Sequence, residues 1–445
     1  MQKPITIGFI SLGCPKNTVD SEKMLALIAE KGFVVGADTG SADVVIINTC
    51  GFIQPAIDEA AEVINQTLAD KRKGKVKKVV VTGCLPERLK EKLLEQFPKI
   101  DAVVCLGARD IIAAVIENLF SNNIPKLYES PADWVNTIQK DADRLLITPS
   151  HWAYLRISEG CNRTCSFCTI PSIKGKFRSK PLDDIITEAN QLADAGVVEL
   201  SIIAQDSANW GKDLGEKDGL VKVLGELEKI EKLKWIRPMY LNPSGITDRL
   251  IETIAQSKKV THYIDMPIQH INNEILKAMH RPDTHEKIAV LIEKIRKNIP
   301  DAVLRTTVIV GFPGETEQQY NELLDFLKVT KFDALGCFAF WPEQGTVAAA
   351  LGGRIQQKIR EKRVEKLMLI QQKIVFEKNE ALRGQTIECL IDENQPDEAA
   401  IGRYYGQAPH IDSICLIENC DDKPGNFVKA KITGFEDYDL IAEKI

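Results

Sequence analysis

The chain has 445 residues, of which 44% are hydrophobic and 27% charged, and its net charge is -6. This composition is that of an ordinary folded protein of about three domains, and it excludes a disordered or collagen-like chain. No apolar run approaches the roughly 18 residues of a membrane span, and the net acidity argues against a general nucleic-acid binder. The short apolar stretch before "SLGC" is interpreted as a buried strand and not as a secretion signal, so we expect a cytoplasmic protein.

Residues 1 to about 140 repeat one pattern four times: a short β-branched apolar run, a turn, and a stretch with the apolar spacing of a helix. The four apolar runs are "ITIGFISLGC", "DVVIINTC", "KKVVVTGC" and "IDAVVC". Alternation of strand and helix predicts an α/β domain with a parallel sheet that helices cover on both faces.

A cysteine follows three of these strands: Cys14, Cys50 and Cys84. Because the carboxyl ends of parallel strands share one edge of a sheet, where ligands bind, we expect the three thiols to gather in space. The alternative is that strand ends simply tolerate a small residue. Cys105 belongs to the fourth unit, where the strand is still apolar, and we interpret it as a packing residue.

A second alternating region is predicted from about 147 to 375, after a polar stretch at 130–144 that is typical of a linker. Its apolar runs are "AYLRIS", "VVELSIIAQD", "KWIRPMYLNP", "HYIDMPIQH", "AVLRTTVIVGF" and "DALGCFAFWP". Six strand–helix units predict a partial (β/α)6 barrel, whose chemistry belongs at the carboxyl ends of the strands.

The motif "EGCNRTCSFC" follows the first of these strands and contains Cys161, Cys165 and Cys168. It lacks the nearby fourth ligand of a closed zinc site, and the chain's 11 cysteines are an odd number for a disulfide framework. A cubane iron–sulfur cluster held by three thiolates would leave one iron open for a substrate or cofactor. Three unrelated core thiols are the alternative.

The segment 380–445 consists of short β-type runs between polar turns, which predicts a small antiparallel β-barrel. It carries 14 Asp and Glu against 6 Lys and Arg, a net charge of -8. Binding to phosphate groups requires the opposite charge. The segment is therefore predicted to dock a basic protein and to present it to the mouth of the (β/α)6 barrel. The alternative is that its acidity only aids solubility.

The cysteine spacing C-x3-C-x2-C, with Phe167 before the last cysteine, resembles the signature of radical S-adenosylmethionine (SAM) enzymes. Two sets of three cysteines in this order, followed by a small β-domain, resemble the methylthiotransferases of that superfamily over nearly the whole chain. The resemblance implies an N-terminal methylthiotransferase domain at 1–140, a radical SAM domain at 147–375 and a TRAM domain at 380–445.

The resemblance also implies the cofactors and the reaction. A 4Fe–4S cluster on Cys161, Cys165 and Cys168 would bind SAM and cleave it to a 5'-deoxyadenosyl radical, which removes hydrogen from an unactivated carbon. A second 4Fe–4S cluster on the three N-terminal cysteines would deliver sulfur, and another SAM would supply the methyl group. A low-potential electron donor such as flavodoxin is implied, and we expect a monomer that has no contact with membranes.

Several stretches resemble the branch that methylthiolates the β-carbon of an aspartate in small-subunit ribosomal protein number twelve. They are "SLGCPKNTVDSE", "CTIPSIKGKFRSKP", "IAQDSANWG", "YIDMPIQH" and "GRYYGQAPHID". The nearest alternative is the branch that modifies tRNA adenosine, which more typically has a tyrosine where Ser172 stands. A non-catalytic two-cluster electron carrier is an alternative of another class, but it would use four cysteines for each cluster.

Five residues are predicted from the resemblance to contact SAM: Phe167, Gln205, Asp206, Arg305 and Gly311. Phe167 would lie along the adenine, with ordinary packing of a loop aromatic as the alternative. Gly311 would let the backbone approach a nucleoside. Gln205 and Asp206 would bind ribose or methionine groups, with loop capping as the alternative. Arg305 would pair with the cofactor carboxylate, with a structural salt bridge as the alternative. No residue is assigned as acid or base.

Overall fold

The computed structural model describes residues 4–120, 125–395 and 398–445. The chain divides into two compact units. Unit 1 comprises Met1–Ile147, Ser158–Arg163 and Cys168–Gln191, and unit 2 comprises Thr148–Ile157, Thr164–Phe167 and Leu192–Ile445. The first cut falls where the second domain was predicted to begin, but much of the cysteine motif and the segment after it group with unit 1.

Unit 1 contains a six-stranded parallel sheet with the strand order β2-β1-β3-β4-β5-β6. The strands are β1 (Thr6–Ser11), β2 (Val34–Val35), β3 (Val44–Thr49), β4 (Lys78–Gly83), β5 (Ala102–Val104) and β6 (Leu127–Tyr128). The four predicted strands are confirmed. The edge strands β2 and β6 have two residues each, too few for any periodicity to be visible.

Helices cover both faces of this sheet, as predicted. They are α1 (Pro15–Glu30), α2 (Gln54–Arg72), α3 (Cys84–Leu89), α4 (Glu91–Gln96) and α5 (Ile112–Asn118). Neighbouring residues of β3 alternate between two apolar clusters: Val45 packs with Ile64 of α2, and Val44 packs with Met24 of α1. One helix was predicted after β4, but the backbone turns at Lys90, where φ is +48°, and separates α3 from α4.

The part of unit 1 that follows the cysteine motif is short and compact. It contains α6 (Ile170–Lys174) and an antiparallel pair of strands, β8 (Ser158–Glu159) with β9 (Arg178–Ser179). Helix α7 (Leu182–Asp194) comes next in the chain.

Unit 2 contains the six predicted barrel strands, arranged as two parallel sheets of three strands, β11-β10-β7 and β12-β13-β14. These strands are β7 (Trp152–Arg156), β10 (Glu199–Ile203), β11 (Trp235–Pro238), β12 (Tyr263–Asp265), β13 (Val303–Val310) and β14 (Ala334–Ala339). The partial (β/α)6 architecture is therefore confirmed.

The helices of unit 2 alternate with these strands, and four of them begin at a residue whose side chain caps the first turn. They are α8 (Gly219–Glu228), α9 (Asp248–Gln256), α10 (Asn273–Ala278), α11 (His285–Asn298), α12 (Glu317–Thr330) and α13 (Gln357–Leu382). Thr316 and Gln319 form a capping box at the start of α12, which satisfies backbone N–H groups that a helix end leaves open. Within the described ranges, no helix combines the length and apolar character needed to cross a membrane.

The C-terminal strands close into a five-stranded barrel with the order β15-β16-β17-β19-β18. They are β15 (Thr386–Glu393), β16 (Ala400–Tyr404), β17 (Cys415–Glu418), β18 (Phe427–Glu436) and β19 (Asp439–Lys444). Four of them were predicted. The fifth, β19, follows a tight turn in which Asp437 has a φ of +48°, and it pairs in parallel with β17, so the barrel is not purely antiparallel.

Within unit 2, this small barrel packs against the amino-terminal ends of the (β/α)6 strands. Glu199, the first residue of β10, is fully buried and binds Arg403 of the small barrel at 2.7 Å and Arg237 at 2.9 Å. Tyr263, the first residue of β12, donates a hydrogen bond of 2.6 Å to Asp412. The prediction that this domain presents a substrate to the barrel mouth is corrected, because the mouth lies at the opposite, carboxyl ends of the strands.

Candidate active site: two cysteine triads

The structure brings Cys14, Cys50 and Cys84 together at the carboxyl edge of the sheet in unit 1. Cys14 precedes α1, Cys50 directly follows β3, and Cys84 is the first residue of α3. Burial raises the pKa of Cys50 and of Cys84, and the proximity of Cys14 raises both further. The three thiols are therefore close enough to interact electrostatically, as their positions in the sequence predicted.

Glycines allow the three cysteine loops to pack this closely. A Cβ atom on Gly13, whose φ is +98°, would lie 2.9 Å from the Cβ of Cys50. One on Gly51 would lie 2.9 Å from the backbone carbonyl of Cys84, and either approach is closer than real Cβ contacts. Close backbone packing thus requires glycine at position 13, beside Cys14, and at position 51, beside Cys50.

Asn17 connects all three loops, a role that the sequence indicates only through its place in the "CPKN" motif. The side chain is buried in the first turn of α1, and its Nδ2 donates hydrogen bonds of 3.0 Å to the carbonyls of Leu12 and Thr49. Its Oδ1 accepts a contact of 3.6 Å from the Cys84 thiol. One side chain therefore holds the loops of Cys14, Cys50 and Cys84 in register.

The contacts of Cys105 agree with a packing role. Its side chain is fully buried, and its Sγ lies 3.6 Å from the carbonyl of Pro86. Burial raises the pKa of Cys105 to about 12, so this thiol is protonated at neutral pH.

The donor set of this first triad is compatible with an iron–sulfur cluster. It consists of soft thiol donors alone, which favour zinc, copper(I) or iron–sulfur centres. In a cubane cluster each thiolate would bind a different iron. In the described part of the chain, no group of three Cys, His, Asp or Glu side chains is arranged to hold a single metal ion.

The second triad lies in the loop that follows β8. In unit 1, the backbone N–H of Arg163 donates to the Sγ of Cys161 and that of Ile170 to the Sγ of Cys168, each at 3.4 Å. Such N–H donors stabilise thiolate ligands and tune an iron–sulfur centre. The loop begins at Gly160, where a Cβ atom would lie 2.1 Å from the Lys176 carbonyl, so only glycine fits.

The segment after Cys168 packs on the loops of the first triad, within unit 1. The Oγ1 of Thr169 donates a hydrogen bond of 3.0 Å to the carbonyl of Phe52. Ile173 of α6 packs in one apolar cluster with Cys84. Loops that belong to the two triads are therefore in direct contact, which neither spacing nor periodicity could reveal.

Phe167 and Gly311, two of the predicted SAM contacts, lie against other side chains of unit 2. Phe167 is partly buried against an apolar cluster that includes Met279 and Phe312. Gly311 has a φ of +73°, and a Cβ atom there would lie 2.3 Å from the Cγ of Arg360, so an arginine side chain fills that space. The backbone of the Gly311 loop is fixed by Glu315, whose carboxylate accepts N–H bonds from Gly311 and Phe312.

Gln205 and Asp206 follow β10 as predicted, and Asp206 accepts a hydrogen bond of 2.5 Å from Asn209, which matches the loop-capping alternative. Arg305 lies near the start of β13, away from the mouth. Its guanidinium binds Asp265 at 3.0 Å and Asp412 at 3.3 Å. These contacts match the structural salt bridge that was the alternative to a cofactor ligand.

Three family models match the chain: the Radical SAM superfamily at residues 155–327, the Uncharacterized protein family UPF0004 at 6–105 and the TRAM domain at 384–445. Among curated relatives, ribosomal protein uS12 methylthiotransferase RimO of Clostridioides difficile is 43% identical over 440 residues, 99% of this chain and 98% of the relative. The protein of that name from Caldanaerobacter subterraneus is 44% identical over 439 residues, 98% of this chain and 99% of the relative. The chain belongs to the RimO family of methylthiotransferases.

Membership of the RimO family makes the protein a radical SAM enzyme, which uses a 4Fe–4S cluster and SAM, and it excludes the electron-carrier alternative. A solved structure of the radical SAM methyltransferase TsrM from Kitasatospora setae is 14% identical and has a TM-score of 0.54. That match covers 76% of this chain and 73% of TsrM, and it supports the fold alone.

Proposed function

We propose that this member of the RimO family methylthiolates the β-carbon of an aspartate in ribosomal protein uS12. Relatives that are more than 40% identical over nearly the whole chain are named ribosomal protein uS12 methylthiotransferase, which supports the substrate protein and the reaction type. The observation that carries the proposal is the contact between the loops of the two cysteine triads in unit 1, because methylthiolation requires a radical centre beside a sulfur source. A ribosomal substrate also places the enzyme in the cytoplasm.

Cys161, Cys165 and Cys168 would hold the SAM-binding cluster, and Cys14, Cys50 and Cys84 would hold the second cluster. With SAM bound, the first of these clusters would supply a hydrogen-abstracting radical, the second would supply the sulfur atom, and SAM would supply the methyl group. The cysteine loops hold the ligands in place: the N–H groups of Arg163 and Ile170 face Cys161 and Cys168. Asn17 keeps the three N-terminal loops at fixed spacing.

Burial of the first triad serves the reaction as well as the fold. Cys84 is only 6% exposed, so a sulfur atom held beside it is shielded from water and oxidants.

Electrons would come from a low-potential donor such as flavodoxin, since an open-iron cluster must be reduced before SAM is cleaved. We propose that the enzyme acts as a monomer.

The test is a competition between substrates under anaerobic conditions with a low-potential reductant. The reconstituted enzyme is incubated with SAM, purified uS12 and unmodified tRNA in one vessel. The uS12 and the tRNA are then digested for mass spectrometry. The proposal expects one uS12 aspartate peptide to gain a methylthio group with concurrent 5'-deoxyadenosine. Methylthiolated adenosine in tRNA together with unmodified uS12 would instead assign the enzyme to the branch that modifies tRNA adenosine.

A further inference from the structure

The amino-terminal part of α13 carries a concentrated positive charge. Residues 354–373 contain seven Lys and Arg but only two Glu, a net charge of +5, whereas the whole chain has a net charge of -6. The helix packs along β14 in unit 2. Arg360 donates to the carbonyl of Phe340, just beyond the carboxyl end of β14, and Gln371 donates at 2.9 Å to that of Phe332, before its amino end. The positive segment therefore begins beside the mouth of the (β/α)6 barrel.

Four lysines of this segment share one face of the helix. They recur at intervals of four, four and seven residues, which keeps them within an arc of about 80° at 3.6 residues per turn. All four are exposed and form the lysine row: Lys358, Lys362, Lys366 and Lys373. The row is about 22 Å long at 1.5 Å per residue. Leu369 lies on the same face and is 60% exposed, so this face of α13 is open to solvent.

The lysine row has no counter-ions of its own. None of its four ammonium groups forms an ion pair within the part of the chain that the structure describes, although Glu361 and Glu365 lie on the same helix. Lys366 has one close neighbour, the ring of Tyr320, whose centroid is 5.6 Å from its Nζ. Like charges at i and i+4 destabilise a helix. The row therefore does nothing for the fold that its charge explains, and it is suited to an external anion.

Two exposed aromatic side chains lie at the mouth, beside the start of α13. Phe338 of β14 is 53% exposed and Trp341 is 37% exposed. The guanidinium of Arg360 lies over the Trp341 ring, 6.0 Å from its centroid, which connects this ring to the positive segment. Aromatic rings beside a positively charged track are the means by which proteins bind single-stranded RNA, through base stacking and phosphate neutralisation. The rings favour RNA over an acidic protein, which would be attracted by the charge alone.

We propose that the lysine row and the two rings bind single-stranded ribosomal RNA beside uS12, so that the preferred substrate is uS12 assembled on RNA and not free uS12. This inference rests on the proposed function, since it takes uS12 as the protein that is modified. RNA is the natural neighbour of a ribosomal protein, and the row starts at the mouth where the aspartate is modified. The acidic TRAM domain at the amino ends of the strands would repel RNA, so the charge of unit 2 directs RNA to α13.

The experiment replaces the four lysines of the row by glutamine in the full chain. Binding of a fluorescently labelled single-stranded fragment of small-subunit ribosomal RNA is measured by anisotropy at several salt concentrations. The affinity should fall by about tenfold or more, and the slope of log K against log salt should decrease in magnitude by about 0.7 for each lysine that contacts a phosphate. Phe338→Ala with Trp341→Ala should weaken binding and leave the slope unchanged, because stacking neutralises no phosphate.

The matched control replaces four other exposed lysines of unit 2 that likewise form no ion pair with described residues: Lys234, Lys258, Lys287 and Lys297. It removes the same charge and should bind RNA as the parent does. Methylthiolation is then compared on small ribosomal subunits that lack the modification and on free uS12. The row variant should lose about tenfold in kcat/KM on the subunits and keep the parent's value on free uS12.

Parent-like RNA affinity and salt slope in the row variant would overturn the inference, as would an equal loss of RNA binding in the control. Impaired reduction by flavodoxin with unchanged RNA binding would also overturn it and would assign the row to the electron donor. RNA binding does not depend on which substrate is modified. Unmodified uS12 together with the expected RNA effects would therefore remove the proposed substrate and leave the RNA-binding surface in place.

Discussion

Thr169 donates a hydrogen bond of 3.0 Å to the backbone carbonyl of Phe52, and this bond joins the loops of the two cysteine triads. Thr169 directly follows Cys168, and Phe52 is two residues from Cys50. Within unit 1, this side-chain hydroxyl is therefore one of the contacts that fix the relative position of these loops, together with the packing of Ile173 on Cys84. Positioning of reacting groups to within an ångström can govern a rate by orders of magnitude.

Thr169→Val tests this contact, because it removes the hydroxyl and keeps the shape of the side chain. Iron content and 5'-deoxyadenosine formation should persist, while methylthiolation falls by about tenfold as the loops lose register. The measurement is the ratio of 5'-deoxyadenosine to methylthiolated product. Thr169→Ser should restore the ratio, and a normal ratio in the valine variant would show that the bond has no part in coupling.

Asn17→Ala should selectively weaken the first triad. The substitution leaves the carbonyls of Leu12 and Thr49 without their side-chain donor, and the unsatisfied buried carbonyl of Thr49 costs about 1–3 kcal/mol. Iron per chain should fall toward half that of the parent, while SAM cleavage continues. Asn65→Ala, at an exposed position of α2, is the control, and full iron loading of Asn17→Ala would refute the positioning role.

The junction between the two barrels of unit 2 should depend on pH through Asp392. Burial alone would raise the pKa of Asp392, but hydrogen bonds from His151 and Arg403 outweigh it, so the pKa lies below its ordinary value of 3.8. The stabilisation is therefore complete above pH 3.8 and is lost as the pH falls through the lower, folded-state pKa.

Asp392→Asn should consequently reduce the free energy of unfolding at pH 7 by about 3 kcal/mol, as expected when a partner is removed from a buried ion pair. The difference from the parent should shrink once the pH is below the folded-state pKa of Asp392. Chemical unfolding of both proteins at several pH values measures it, and a difference that stays constant into strong acid would contradict this origin.

Removal of the TRAM domain should destabilise unit 2, and not merely weaken substrate binding. Truncation after Arg383 would take Arg403 from the buried carboxylate of Glu199 and would expose Tyr263 at the amino ends of the strands. We expect aggregation or a strongly lowered unfolding midpoint. A monodisperse truncated protein with the parent's midpoint and SAM cleavage would show that the domain is an independent docking module.

The fold was predictable from the sequence wherever an element was long enough to show a period. The four longer strands of unit 1 lie in apolar, β-branched runs and the six barrel strands lie in mainly apolar runs between turn signals, whereas β2 and β6 contain two residues each. The break at Lys90 depends on one backbone conformation that no apolar pattern records.

The gathering of Cys14, Cys50 and Cys84 was predictable because parallel strands fix the edge at which their ends lie. The contacts of Asn17 and Thr169 were not, since their hydrogen bonds join segments that are far apart in the chain. The place of Arg305 along its strand is, by contrast, visible in the sequence. As the third residue of β13, it had to lie near the amino end of the strand, away from the mouth.

The central claim is that the two triads have separate tasks in one reaction, and Cys84→Ala tests it most directly. Under anaerobic conditions with reductant, SAM and uS12, 5'-deoxyadenosine and methylthiolated peptide are quantified for the parent and for variants. We predict that Cys84→Ala still forms 5'-deoxyadenosine but no methylthiolated product, that Cys165→Ala forms neither, and that Cys105→Ala forms both. Methylthiolated uS12 at the parent's level from Cys84→Ala would contradict the account.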